Sequence, residues 1–220
     1  MSSVRLVIFD MDDTLVASAD TWGQAERRLF RLLGREFDPA IAQLYKGCNA
    51  RDVGRVIFEQ LRPAGYTADD CGQLIREFLF SAFQGHLRMM PGADVLLSRL
   101  AGRYSMAIAS GSPLDVIQLV LERFTWQQYF DLLISSESVV WGKPAPDVFV
   151  EAATRYGCRP CEALVIEDSL YGVHAAKSAG MSCFVVPSSD DPHIIAAADR
   201  AFASLADITL DDIEAVQSVC

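Results

Sequence analysis

Val4-Arg5-Leu6-Val7-Ile8-Phe9-Asp10-Met11-Asp12-Asp13-Thr14-Leu15 joins an apolar run of strand length to two carboxylates two positions apart. Val, Ile and Phe favour a pleated, buried strand. The apolar run predicts a strand covered on both faces, as in parallel sheets. Asp10 would then stand at the carboxyl end of that strand, where open α/β sheets place their ligands. An Asp there can attack a phosphoryl or carbon centre. It can also bind a hard cation such as Mg²⁺. The plainer alternative is a solvated turn in which Asp10, Asp12 and Asp13 merely end the strand. The rest of the chain decides between these.

Downstream, residues 20–84 show helical periodicity. Trp22, Ala25, Leu29 and Leu32 recur at three- and four-residue steps, and Gly34 ends that helix. Further helices are expected over Ala50–Leu61 and Ala68–Phe83, each bounded by Gly or Pro signals. No strand is expected here, so the block reads as an all-helical insert.

From Pro91 onward helix and strand alternate. Helices are expected at residues 92–100, 113–123, 145–156 and 171–179. Strands are expected at Ser105–Ser110, Leu132–Ser135, Ala163–Glu167 and residues 182–187. Such alternation means βαβ units and a parallel sheet. The tail after Ser188 reads as helical pieces without nameable chemistry. The expected class is therefore α/β. A doubly wound parallel sheet would come from residues 1–15 and 91–220, with an inserted all-helical cap from residues 16–90. The crossings at 16–19 and 87–91 would act as hinges.

The 220 residues are 51% hydrophobic and 22% charged, ample for one core plus an inserted subdomain. A net charge of -10 argues against nucleic acid as a partner, because that would need a basic patch. Any anionic substrate must be captured by local positive groups rather than by the overall field. No leader pattern opens the sequence and no apolar run reaches spanning length, so a cytoplasmic protein without membrane association is expected. The six cysteines are irregularly spaced and are expected to be reduced. Cys158 and Cys161 form a lone C-x-x-C, read as an ordinary loop before a strand because thioredoxin-like chemistry would place it at a helix start.

The polar candidates all follow strand ends. Asp10 and Asp12 follow the first, Ser110-Gly111-Ser112 the second, Lys143 the third, and Glu167-Asp168 the fourth. In a parallel sheet these ends share one edge. Ser112 is expected to cap the next helix, with Pro113 in its first turn; such a helix start can also hold an anion. Lys143, between Gly142 and Pro144, can be aimed at a carboxylate and a phosphate together. Acidic strand ends side by side repel unless a cation sits between them. Hard oxygen donors with few histidines suit Mg²⁺ rather than zinc.

These residues resemble the haloacid dehalogenase (HAD) superfamily, with its Rossmann-like core, in the subgroup carrying a helical cap after the first motif. Asp10-Met11-Asp12-Asp13-Thr14, Ser110, Lys143 and Glu167-Asp168 look like its four motifs in order. The resemblance implies Asp10 as the nucleophile that takes the phosphoryl group. Asp12 would protonate the leaving oxygen and then activate water. Mg²⁺ would be held by Asp10, the Asp12 backbone carbonyl, Asp168 and Glu167, the last direct or through water. Ser110, Gly111 and Lys143 would hold phosphoryl oxygens. Asp12 favours phosphoryl transfer over dehalogenation, since the dehalogenases lack an acid there. Asp13 stands where Gly is commonest, a tolerated variant that could alter metal affinity. In the cap, Tyr45-Lys46-Gly47-Cys48-Asn49-Ala50-Arg51 resembles the substrate-reaching loop of β-phosphoglucomutases, making Lys46, Gly47 and Arg51 candidate substrate contacts. The mutases usually carry Arg directly after Ser, whereas Arg51 is shifted by one position.

The expected function is a Mg²⁺-dependent phosphatase acting on a small phosphorylated metabolite, such as a sugar phosphate or a phosphoglycolate-like ester. The chain would work as a monomer or homodimer. A β-phosphoglucomutase-like phosphomutase is the second reading. A non-catalytic phosphometabolite-binding protein is the third, and would not need two carboxylates beside a phosphate.

Overall fold

The computed structural model describes residues 3–45, 47–189 and 191–216. Strand β1 (Leu6–Phe9) is buried along its whole length. Its side chains alternate between two cores: Val7 and Phe9 enter one, Leu6 and Ile8 the other. That division explains the uninterrupted apolar run, because neither face of the strand meets water.

The insert follows. It comprises β2 (Val16–Ala17), α1 (Ala19–Leu32), α2 (Pro39–Gln43), α3 (Ala50–Leu61), α4 (Ala68–Phe83) and β3 (Arg88–Met89). The two crossings pair as an antiparallel ribbon, Val16 opposite Met89 and Ala17 opposite Arg88. Residues 20–84, read as all-helical, carry only helices among the described residues; the ribbon, which was not expected, forms at the two crossings. Two-residue strands leave no periodicity to read, and their partner lies some seventy residues away. Asn49 caps α3 by accepting from the Asp52 amide, and Thr67 and Asp70 form a capping box on α4. The backbones of α3 and α4 pass closely at Gly54, where a Cβ would lie 2.2 Å from the Gly72 nitrogen. Leu29, Phe30, Ile57, Ile75 and Phe83 join the same core as Phe9, so the insert is packed onto the sheet side.

The remainder alternates: α5 (Ala93–Leu100), β4 (Ser105–Ser110), α6 (Leu114–Phe124), β5 (Leu132–Ser135), α7 (Asp147–Tyr156), β6 (Ala163–Glu167), α8 (Leu170–Ser178), β7 (Ser182–Val185), α9 (Pro192–Ala197), β8 (Arg200–Ala201) and α10 (Leu210–Glu214). The sheet order is β5-β4-β1-β6-β7-β8, and all its pairings are parallel. The chain therefore runs outward from β1 to one edge, then crosses to build the other half. The order reverses beside β1, which places the crevice of a doubly wound sheet at Asp10. Helices α5 and α6 cover one face, and α7 and α8 the other.

The sixth strand, β8, was not expected. It is a short exposed edge carrying Arg200, a composition that blunts sheet edges. Helix α6 starts at Leu114 with Pro113 as its cap residue, so Ser112 does not cap it. The expectation of six reduced thiols also needs correction. Cys161, on the turn Pro160–Glu162, is disulfide-bonded, while Cys158 is free, so the C-x-x-C cysteines are not joined to each other. Spacing along the chain says nothing about which sulfur a surface turn brings near Cys161. Among the described residues no helix is long and apolar enough to cross a membrane.

Candidate active site

The register puts Phe9 level with Ile166 on β6, and the Asp10 amide donates to the Ile166 carbonyl at 3.0 Å. Asp10 and Glu167 consequently emerge side by side. Lys143 answers them both: its Nζ donates to Asp10 Oδ1 at 2.6 Å and to Glu167 Oε1 at 2.8 Å, with all three residues buried. The cation expected between acidic strand ends is thus supplied in part by the chain. Lys143 Nζ also lies 4.8 Å from the centre of the Phe149 ring.

Glu167 spends its second oxygen on its own turn. Oε2 accepts from the Asp168 amide, the Ser169 amide and the Ser169 hydroxyl, each at 2.9 Å. Burial would raise its pKa, but Lys143 and these donors outweigh that and hold it below the ordinary range. Asp10 goes the other way. Burial, with the charges of Glu167 and Asp12, pushes its pKa up to about 8 despite Lys143. Burial, then Glu167 and Asp10, also raise Asp168 well above its usual value. Burial would lower Lys143, but Asp10 and Glu167 override it and hold the ammonium above its normal pKa. Thr14 donates its hydroxyl to Asp168 Oδ1 at 3.0 Å.

One ammonium therefore faces three acids, and the negative charge is under-compensated. Carboxylate oxygens of Asp10, Glu167 and Asp168 lie within 4.8 Å of one another. All are hard donors, which fits a Mg²⁺-type cation rather than a thiophilic one. Glu167 is the most committed of the three, so Asp10 and Asp168 retain most of the free acceptor capacity.

Asp12 stands apart from that convergence. Its Oδ2 accepts from Ser110 Oγ at 2.9 Å and Ser112 Oγ at 2.8 Å, and its Oδ1 from Trp22 Nε1 at 3.0 Å. Ser110 in turn accepts from the Ser112 amide at 3.0 Å. Asp13 has a left-handed backbone (φ 58°), the conformation for which Gly would be easiest. Its Oδ1 accepts from the Ser18 and Ala19 amides at 2.8 and 3.0 Å, satisfying the start of α1.

The insert reaches this edge through residues 47–51. A Cβ on Gly111 would lie 3.3 Å from the Gly47 carbonyl and 3.4 Å from that of Cys48, so the loop is seated on the Ser110-Gly111-Ser112 turn. Asn49 Nδ2 donates to the Ser136 carbonyl at 3.5 Å. Arg51 is exposed and donates to the Val140 carbonyl at 3.1 Å. Lys46 lies outside the described residues. From sequence, Trp22 has only a place in a helical periodicity, Gly172 is not named, and Ser112 is a helix cap at a candidate anion site, not a partner of Asp12. Trp22 fits the apolar stripe of its helix, and a hydroxyl two residues after Ser110 was the available signal for Ser112.

A family model for haloacid dehalogenase-like hydrolases matches residues 7–186. The chain belongs to this family. A bifunctional riboflavin kinase/FMN phosphatase from Arabidopsis thaliana is 31% identical over 210 residues, 93% of this chain and 54% of that protein, so the chain spans about half of that relative. The fructose-1-phosphate phosphatase YqaB of Escherichia coli K12 is 30% identical over 175 residues, 80% of this chain and 92% of that one. CbbY from Rhodobacter sphaeroides in complex with phosphate superposes with a TM-score of 0.84 at 24% identity, covering 96% of this chain and 99% of its own, a likeness of fold. This HAD-family chain is a phosphoric monoester hydrolase.

Proposed function

We propose that the chain is a Mg²⁺-dependent phosphatase working through an aspartyl-phosphate on Asp10. The observation that carries this is the division of labour between two carboxylates. Asp10 is bonded to Lys143 at the strand end, while Asp12 is held by hydroxyl and indole donors beside it. An Asp10 oxygen forms a bond to phosphorus as the bond to the leaving oxygen breaks, and the electron pair departs with that oxygen. Asp12 gives it a proton. Asp12, now a carboxylate, takes a proton from water, whose oxygen displaces Asp10 from phosphorus. Inorganic phosphate leaves and Asp10 is regenerated.

Lys143 offsets the charge of the attacking carboxylate and of the phosphoryl group together. The Gly111 amide completes the hold on phosphoryl oxygens as charge shifts, and Ser110, whose hydroxyl donates to Asp12 in this structure, joins it by turning that proton to the phosphoryl group. Mg²⁺ held by Asp10, the Asp12 carbonyl, Asp168 and Glu167 would keep Asp10 ionised and shield it from the phosphate. The helical insert serves as the cap that covers the site and excludes water.

The substrate class is a small phosphorylated metabolite. The fructose-1-phosphate phosphatase relative supports sugar phosphates. The hydrogen bond from Arg51 to the Val140 carbonyl supports hydrolysis over the mutase reading. Phosphate release measured across sugar phosphates, polyol phosphates, phosphoglycolate and FMN tests the proposal. Release from at least one ester at rates of about 1 s⁻¹ or more is expected. Isomerisation of a sugar phosphate faster than its hydrolysis would overturn it.

A further inference from the structure

Asp12 is gripped from two sides. Ser110 and Ser112, both from the sheet edge, donate to Oδ2. Trp22, on the first helix of the insert, donates to Oδ1. Two donors on a single oxygen leave the carboxylate free to pivot, because its terminal torsion is broad and roughly two-fold. A third donor on the other oxygen fixes its plane. That donor is carried by the insert, whose loop is seated on Gly111 in this structure. The start of its helix is tied to Asp13, the neighbour of Asp12, through the Ser18 and Ala19 amides.

We propose that Trp22 is a positioning residue that aims Asp12 at the leaving oxygen, coupling the seating of the cap to proton transfer. The inference rests on the phosphatase reading above. The indole N–H is a donor only and exchanges no proton in the reaction. Trp22 therefore acts through Asp12 and not on the substrate.

A positioning role has a signature that packing alone lacks. An alkoxide leaves poorly without a proton, whereas p-nitrophenolate leaves unaided, so only alkyl esters depend on well-aimed Asp12 in the first chemical step. That step is read by kcat/KM. The experiment compares parent, Trp22→Phe and Trp22→His on p-nitrophenyl phosphate and on fructose 1-phosphate, glycerol 3-phosphate and a hexitol phosphate. Trp22→Phe should lower kcat/KM on the alkyl esters by about tenfold or more, yet stay within about threefold of the parent on p-nitrophenyl phosphate. Trp22→His, which restores a ring N–H, should recover part of the loss. Should the Phe variant not fold, Trp22→Met is read in the same way. Equal losses on both ester types, or none on either, would overturn the inference. A parent that releases phosphate from none of these esters would instead remove the phosphatase reading on which it rests.

Discussion

Gly172 stands where any side chain would collide with Glu167: a Cβ at residue 172 would lie 1.7 Å from Glu167 Oε1. That oxygen is the one that accepts from Lys143. The first turn of α8 thus leaves the space in which the buried Lys143–Glu167 pair forms.

Gly172→Ala follows directly. Ala would gain about 1 kcal/mol of helix propensity over Gly. Overpacking costs about 1–3 kcal/mol, and disturbing a buried ion pair about 3–5 kcal/mol. The collision wins. Urea unfolding should show a loss of about 2 kcal/mol or more, and phosphate release should fall with it. A variant as stable and active as the parent would mean that Glu167 sits elsewhere in solution.

Lys143 is the chain's own counter-charge for Asp10 and Glu167. Lys143→Met keeps the length of the side chain and removes the charge, leaving two buried acids unpaired. The expected cost is about 3 kcal/mol or more in the metal-free protein, with phosphate release down about a hundredfold or more. Both are read on the same preparation, by unfolding and by steady-state assay. Near-parent turnover would show that Lys143 is structural.

Metal and protons should compete at this edge. In the metal-free protein Asp10 and Asp168 have raised pKa values, Asp10 to about 8. Raised carboxylates bind more protons folded than unfolded. Their contribution to stability is full below about pH 4, the unfolded value, and declines as pH rises above it, for Asp10 through about 8. Glu167 is lowered, so its contribution holds across that window and is lost only in acid. A cation binding the ionised forms reverses the loss. The rise in melting temperature on adding Mg²⁺ should therefore grow from pH 5 to pH 8. A shift that is flat or shrinking over that range would contradict the assignment of Asp10 and Asp168 as ligands.

The strands that carry the site were readable from sequence because each is a contiguous apolar run ending in a polar residue. Ser105–Ser110, Leu132–Ser135 and Ala163–Glu167 fall where the run predicts. Two-residue pairings such as Val16–Ala17 with Arg88–Met89 were not, since only distant chain proximity creates them. The same holds for side-chain roles. Ser112 before Pro113 carries the local signature of a helix cap, yet its hydroxyl goes to Asp12, a hundred residues away in the chain. Trp22 reads as one apolar residue of an amphipathic helix, and nothing local reveals what its N–H meets. Gly172 reads as a weak helix residue until the Glu167 carboxylate is placed beside it. Asp13 is intermediate: its tolerance of the turn could be inferred, but its service to the Ser18 and Ala19 amides could not.

The central claim is that Asp10 forms the covalent bond to phosphorus. Its most direct test is phosphate release from p-nitrophenyl phosphate by the parent and by Asp10→Asn, each with Mg²⁺ and with a chelator. The account predicts release by the parent that needs the metal, and a loss of at least about a thousandfold in Asp10→Asn with the fold retained. Equal release by both proteins would mean that Asp10 is not the nucleophile.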